Sequence, residues 1–380
     1  MAKAVLLLSG GLDSTLAGRL LLDQNVEVEA VNFVSPFCCC TPRSWGCSVA
    51  RRAAEQLGIP VQVFGCAQDY LEVMKRPRFG RGRGMNACLD CRIYMFGRAR
   101  AYLDECGADF VATGEVLGER PMSQRREAMA LIERESGLEG LIVRPLCARH
   151  LPPSLPEQRG LVDRERLLAL QGRCRRPQMA LARTVGLTEY PCPAGGCLLT
   201  DAEFAARFRD LLEHEPNFGL AEAKLLRYGR HFRLPGGAKV VVGRDQAENE
   251  VIEGATRPDD VLLVPKTVPG PSALCQRATD EQDIRRAASI VASYVKRATE
   301  VDIRVRRFDG DGIRADVLEH VAPLSQALIG LWRVGVRPPQ GARHGVGPLR
   351  SRAAGADQTE DTPLRLHPCA GPDARKEADS

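Results

Sequence analysis

Short apolar runs alternating with stretches of helical period fill the first 145 residues of the chain. Residues 5–8, 28–34, 61–64, 110–112 and 141–143 read as buried strands, whereas residues 15–22, 49–57 and 93–105 repeat apolar positions every 3.6 residues. Strands separated by helices predict an α/β fold, a doubly wound parallel sheet of Rossmann-like type. In such sheets the ligand lies beyond the carboxyl ends of the strands. Residues 9–14, 37–40 and 113–115 all follow predicted strand ends.

The pattern changes further along. Residues 146–200 are richer in Pro and Arg, with helices predicted at 163–170 and 177–185, and they extend the first domain over its active face. Residues 201–227 read as a helical connector of two short amphipathic helices. From 228 to 335 the β-like segments 239–242, 261–264 and 301–305 surround a helix-like stretch at 281–297, predicting a small α+β domain. Beyond, residues 336–380 are Pro, Gly, Ala, Arg and acidic residues without periodicity, the composition of a disordered tail. Three units follow, at 1–200, 201–227 and 228–335, and then the tail.

Composition narrows the function. The 380 residues include 14 cysteines and carry a net charge of +5, with 7 lysines against 46 arginines. No stretch resembles a membrane span, and the initial apolar run is too short for a signal peptide, so a cytoplasmic protein without membrane contact is expected. A reducing cytosol argues against a disulfide framework and for metal, cluster or sulfur chemistry. Arginines cluster at Arg81 and Arg83 beside Lys75, Arg76 and Arg78, and again at Arg173, Arg175 and Arg176. Each cluster reads either as a solvated loop or as a contact to phosphate backbone.

The densest chemical signal is Ser9-Gly10-Gly11-Leu12-Asp13-Ser14, set between a predicted strand and a predicted helix. Two glycines allow a sharp turn and a close approach, backbone N–H groups and a helix N-terminus converge on an anion, and Ser9 and Ser14 add hydroxyl donors. Asp13 is placed to hold Mg²⁺ or to orient the turn. The spacing and the missing lysine exclude a Walker A motif, and the geometry suits pyrophosphate. The string resembles the PP-loop of the ATP pyrophosphatases. That resemblance implies ATP with Mg²⁺, an adenine nucleotide alpha hydrolase-like fold, and adenylation of a substrate oxygen that a nucleophile then displaces.

Cysteines supply that nucleophile. Cys88 and Cys91 lie one helical turn apart at a predicted helix start, where the helix N-terminus and Arg92 favour thiolates. Cys192 and Cys197 flank a Gly195-Gly196 pair, and Cys38, Cys39, Cys40 and Cys47 form a third group. Three readings stand: a zinc site of Cys88, Cys91, Cys192 and Cys197, an iron–sulfur cluster on three cysteines, or metal-free persulfide chemistry at Cys91 and Cys197. Cys66, Cys106, Cys147, Cys174, Cys275 and Cys369 read as isolated thiols.

The combination resembles the tRNA-thiolation branch of the PP-loop superfamily. Residues 113–118, with Thr113, Gly114 and Glu115, then 122–124 and 141–146, are similar to the tRNA 4-thiouridine synthetases. Residues 86–92 and 195–199 resemble the two cysteine motifs of the tRNA 2-thiouridylases, although Ala87 replaces their usual proline. The resemblance implies that Cys91 is the first catalytic cysteine, that Cys197 bears a persulfide, and that Cys88, Cys91 and Cys197 are the ligands if a [4Fe-4S] cluster is present. It implies nucleotide binding by Ser9, Gly10, Gly11, Leu12, Asp13, Ser14, Thr113 and Gly114. Residues 242–245, Asn249 and 268–271 are similar to the RNA-binding module of ribosome quality-control proteins.

The expected activity is therefore ATP-dependent replacement of a tRNA uridine carbonyl oxygen by sulfur, releasing AMP and pyrophosphate. Its partners are tRNA and a sulfur donor: a cysteine desulfurase, a relay protein or hydrosulfide. No rhodanese-like segment and no RNA-binding domain ahead of the PP-loop are evident. Arg81, Arg83, Arg125, Arg126 and Arg230 are the candidate RNA contacts, with Arg120 beside them. The run 227–233 mixes basic and aromatic residues as single-stranded nucleic acid sites do, or forms an edge strand. Two other classes share these motifs: a small-molecule ligase or sulfur-inserting enzyme, and a non-catalytic RNA-binding protein.

Overall fold

The computed structural model describes residues 1–39, 48–187, 190, 196–297, 299–310 and 312–335. The expected tail at 336–380, together with Cys40, Cys47 and Cys192, lies outside the described residues.

Five parallel strands, β1 (Lys3–Leu7), β2 (Glu27–Val34), β3 (Val61–Gly65), β4 (Phe110–Thr113) and β5 (Ile142–Val143), form one sheet in the order β3-β2-β1-β4-β5. All five strands expected from the apolar runs are present. Around them lie α1 (Leu12–Leu22), α2 (Ser48–Leu57), α3 (Gln68–Lys75), α4 (Cys88–Cys106) and α5 (Arg126–Glu135). Alternation along β1 shows why the sheet is covered on both faces. Ala4 and Leu6 join Leu8 in packing with Ala17, Leu21, Ala53 and Ala54 of α1 and α2, whereas Val5 packs with Phe96, Ala99 and Leu103 of α4 and Ile132 of α5. The strand order reverses between β1 and β4, so their carboxyl ends splay and open a crevice for ligand.

One predicted helix fails. Residues 163–170 form only a 3₁₀ turn at Arg164–Arg166, because the chain then runs extended beside residues 145–146: Leu168 N–H donates to the Pro145 carbonyl and Leu170 N–H to that of Leu146. The helices that do follow are α6 (Leu155–Gln158), α7 (Arg176–Thr184), α8 (Ala202–His214) and α9 (Leu220–Leu225). The last two lie within residues 201–227 and pack with Phe37, Tyr70 and Met74 of the first part.

A six-stranded antiparallel sheet makes up the C-terminal part, in the order β11-β10-β8-β9-β7-β6. Its strands are β6 (Arg230–Arg233), β7 (Lys239–Val242), β8 (Val261–Pro265), β9 (Ala273–Gln276), β10 (Val301–Asp309) and β11 (Gly312–Val321). Helix α11 (Glu281–Ala292) covers its core face, and α10 (Gln246–Gly254) packs against β7 and β9. The last helix is α12 (Gln326–Trp332). Arg233 ties β6 to the connector, donating to Asp210 at 3.1 and 2.8 Å. Among the described residues no helix is long and apolar enough to cross a membrane.

Candidate active site

The glycine turn connects the end of β1 directly to α1. Gly10 adopts φ +77°, and a Cβ on it would fall 2.6 Å from the Val49 carbonyl carbon. Both conformation and space therefore demand glycine there. Gly114, just after β4, is as tightly placed: its Cβ would lie 2.4 Å from the Asp13 carbonyl carbon and the Ser14 nitrogen. Thr113-Gly114 and Asp13-Ser14 thus meet backbone to backbone at the sheet's switch point. Within the turn the hydroxyls of Ser9 and Ser14 are 3.1 Å apart, and Ser14 donates to the Gly11 carbonyl at 2.9 Å. Beneath it the buried Asn32 amide donates to the Leu8 carbonyl at 2.7 Å. Asn32 was not singled out in the sequence, where a polar residue in strand β2 carries no local signal.

Arg175 was read with its neighbours as a solvated loop or a phosphate contact. The fold directs it inward instead, where it pairs with the Asp13 carboxylate and reaches Glu119 at 3.2 Å. The other Asp13 oxygen, Oδ1, is buried without a hydrogen bond among the described residues. Burial raises the Glu119 pKa, the nearby Asp13 charge adds to that, and Arg175 opposes both. Two carboxylates bridged by one guanidinium, with an orphaned oxygen, form a donor set of the kind a hard divalent cation takes.

A second ion-pair chain joins this crevice to α4. The buried Glu115 accepts from Arg144 Nε at 3.0 Å and pairs with Arg92 at 3.6 Å, while Arg144 also pairs with Glu133. Thr113 Oγ1 accepts the Glu115 N–H at 3.2 Å, so the loop after β4 is fixed from several sides. Arg92 is the neighbour of Cys91 in sequence. The cysteine end of α4 is thereby held at the same edge of the sheet as the glycine turn.

Cys91 and Cys197 pack into one apolar cluster with Phe37, Tyr70, Leu199 and Phe204. The Tyr70 hydroxyl lies 3.3 Å from Cys91 Sγ, and Cys88 Sγ accepts the Asn86 amide at 2.9 Å. Cys66, expected to be an isolated thiol, belongs to the same cluster, and Cys38 pairs with Cys197 across an isolated antiparallel bridge. The expected thiolates are not favoured. Burial pushes Cys91 up to about 11 against the Tyr70 hydrogen bond and the Arg92 charge, and pushes Cys197 up to about 12 against the Leu199 N–H. Desolvation of a thiolate in this apolar setting outweighs one helix terminus and one arginine. Among the described residues no group of three or more Cys, His, Asp or Glu side chains is close enough to share a metal ion.

The arginines divide. Arg81 donates to the carbonyls of Met85 at 3.0 Å and Lys75 at 2.9 Å, and Arg230 donates to that of Gly243 at 2.9 Å while lying 4.5 Å over the Tyr294 ring. Both are half-buried and bonded within the fold. Arg83, Arg125 and Arg126 are exposed. Within the 227–233 run, Arg230–Arg233 is an edge strand whose burial does not alternate: His231 and Phe232 are both buried, and the Val334 N–H donates to the His231 carbonyl at 2.9 Å, covering the edge. Beside Leu198 a cavity of about 250 Å³ is lined by Arg207, Arg227 and Arg244 with Asp201 and Glu203.

The Ser-Gly-Gly-Leu-Asp-Ser turn thus stands at the switch point of a five-stranded parallel sheet. Residues 2–133 match the family described as the tRNA methyl transferase HUP domain, and residues 229–333 match the NFACT protein RNA binding domain. The chain is thus similar over its first third to one family and over its C-terminal part to the other. The tRNA-specific 2-thiouridylase MnmA of Syntrophotalea carbinolica is 33% identical over 123 residues, covering 28% of this chain and 32% of that protein. The MnmA of a Roseiflexus species is 26% identical over 294 residues, covering 67% of this chain and 77% of that protein. A crystal structure of a 4-thiouridine synthetase–RNA complex with bound ATP has a TM-score of 0.31 and 30% identity, covering 38% of this chain and 36% of that one. The chain spans 32–39% of the length of the first curated relatives it matches.

Proposed function

We propose that the protein is an ATP-dependent tRNA sulfurtransferase that converts a uridine to a thiouridine. The reading rests chiefly on one arrangement: Gly114 against Asp13 and Arg92 paired with Glu115 bring the Cys91 end of α4 to the crevice that holds the glycine turn. An adenylating turn and two thiols at one sheet edge suit activation of an oxygen followed by its replacement with sulfur. The likeness to the 2-thiouridylases and the NFACT-like module favour tRNA as the substrate.

In this reading the uridine is extruded from its stack and its carbonyl oxygen attacks the ATP α-phosphate. Backbone N–H groups of the turn and the hydroxyls of Ser9 and Ser14 hold the departing pyrophosphate. Asp13 and Glu119 would hold Mg²⁺, which neutralises charge on the leaving group. Cys91 then attacks the inner sulfur of a persulfide on Cys197, forming a disulfide and releasing the terminal sulfur, which displaces AMP. Both thiols lose a proton only as they react, because the apolar cluster keeps them neutral at rest. The Cys88→Ala variant separates the two chemistries, since persulfide transfer retains activity without Cys88 and a cluster on Cys88, Cys91 and Cys197 does not.

The decisive experiment is nucleoside mass spectrometry on tRNA from a deletion strain, paired with pyrophosphate release by the purified protein given ATP and tRNA. A missing thionucleoside and tRNA-stimulated release are expected. An unchanged thionucleoside profile would remove the reading.

A further inference from the structure

Cys197 faces another thiol besides Cys91. It is paired with Cys38 in an isolated antiparallel bridge, and the Leu198 N–H donates to the Phe37 carbonyl at 2.9 Å. A bond between the residue before one partner and the residue after the other marks a non-hydrogen-bonded pair. In such pairs the Cα atoms lie about 4.5 Å apart and the side chains are at their closest. That separation falls within the ~4.4–6.8 Å a disulfide needs.

The pair is also fixed in place. Cys38 Sγ accepts the Ser35 N–H at 3.3 Å and lies 3.3 Å from the Ser35 hydroxyl, so the turn after β2 sets its position. From the connector, Arg227 donates to the carbonyls of Pro36 at 3.3 Å and Cys38 at 3.0 Å. Phe37 is buried between Tyr70, Phe204 and Phe208, which anchors the same segment in the cluster that holds Cys91 and Cys197. A charge on Cys38 would raise the pKa of both Cys91 and Cys197, as befits close neighbours. Cys39 is exposed, and its thiol is hydrogen-bonded to the Gly196 backbone.

The geometry points to Cys38 as the redox partner of Cys197, the thiol that resolves the Cys91–Cys197 disulfide by forming a Cys38–Cys197 disulfide in its place. The pairing itself is independent of the reaction, whereas the resolving role rests on the sulfur-transfer reading above. In the exchange the Cys38 thiolate attacks Cys197 Sγ and the Cys91 thiolate leaves and takes up the proton Cys38 gave up. One disulfide breaks and one forms, with no net oxidation. An external dithiol of the thioredoxin class then supplies two electrons and two protons, restoring Cys38 and Cys197. Exchange along the bridge frees Cys91 for the next cycle without uncovering its buried position on α4.

The test uses the full-length protein, oxidised with diamide under native conditions, alkylated, digested and mapped without reduction. A peptide joining Cys38 to Cys197 is expected, absent from Cys38→Ser and retained in Cys39→Ser. Cys197 linked only to Cys91, or to nothing, overturns the proposal, and Cys38→Ala gives the same comparison should serine disturb the turn. With tRNA, ATP and a persulfide donor, wild type and Cys38→Ser should match in a single turnover. In repeated turnovers with thioredoxin as reductant the variant should slow several-fold and accumulate the Cys91–Cys197 disulfide. Equal multiple-turnover rates overturn the resolving role. Absence of thionucleoside from the wild type as well would instead count against the sulfur-transfer reading, with the mapped disulfide still deciding the pairing.

Discussion

Gly114 lies directly against the backbone of Asp13, so closely that a Cβ there would stand 2.4 Å from the Asp13 carbonyl carbon. No side chain can retreat to make room, because the obstacle is main chain. The loop after β4 and the start of α1 must separate for any other residue to fit. Gly114→Ala is accordingly expected to cost about 1–3 kcal/mol of stability. Nucleotide binding should fall by a larger margin than that cost would suggest. Thermal unfolding followed by ATP titration of the folded fraction checks both.

Arg175 holds Asp13 and Glu119 together. In Arg175→Ala the burial and the Asp13 charge that already raise Glu119 are opposed only by Arg120. Glu119 then takes up a proton at higher pH than in the wild type. The loss of pyrophosphate release in the variant should deepen as pH is lowered from neutrality towards the ordinary carboxylate range. A defect of constant size over that range would show that Glu119 does not titrate there.

Alkylation reports the thiols directly. With Cys91 pushed up to about 11 and Cys197 to about 12, the thiolate fraction of each rises about tenfold per pH unit across the neutral range. Iodoacetamide labelling of both in the folded protein should climb through pH 9 without levelling off, while the unfolded chain levels near 9. Tyr70→Phe removes the hydroxyl that lowers the Cys91 pKa, so Cys91 labelling should slow further. Mass spectrometry of the labelled peptides distinguishes the two sites.

Arg81 and Arg83 separate a structural role from an interaction with RNA. Arg81→Ala removes two hydrogen bonds to carbonyls and should cost about 1–2 kcal/mol in chemical denaturation. Arg83→Ala should leave stability unchanged and weaken tRNA binding, with a shallower dependence of affinity on salt. Filter binding at several salt concentrations measures the slope. An unchanged slope removes Arg83 from the interface.

His231 sets an acid limit on the C-terminal sheet. Burial, with Lys239 and Arg207 nearby, holds its pKa well below the usual 6.5. Below pH 6.5 the unfolded chain therefore binds a proton that the folded one refuses, and stability falls as pH drops, by up to about 1.4 kcal/mol per pH unit. His231→Gln should flatten this part of the stability profile between pH 7 and 5. Urea denaturation of both proteins at each pH provides the comparison.

Local signals carried much of this in the sequence. Apolar runs marked the parallel strands because strands covered on both faces are largely apolar, and the glycine turn was legible because Gly10, with φ +77° and Val49 close by, must be glycine. The same strength makes the Cys91 and Cys197 motifs readable. Partnerships across long stretches of chain were not. Arg175 reaches Asp13 from 162 residues away and Arg227 reaches Cys38 from 189, and nothing in either neighbourhood announces the other. Helix periodicity misled at 163–170, where hydrogen bonds to residues 145–146 outweighed local preference.

The sequence by itself determined the sheet, the anion-holding turn and the supply of thiols, since each depends on residues close together in the chain. Only the tertiary structure decided which thiols meet, which arginines face inward, and that burial disfavours the thiolates of Cys91 and Cys197. Burial and charge pairing are properties of the assembled surroundings, and they are fixed when distant segments pack against one another.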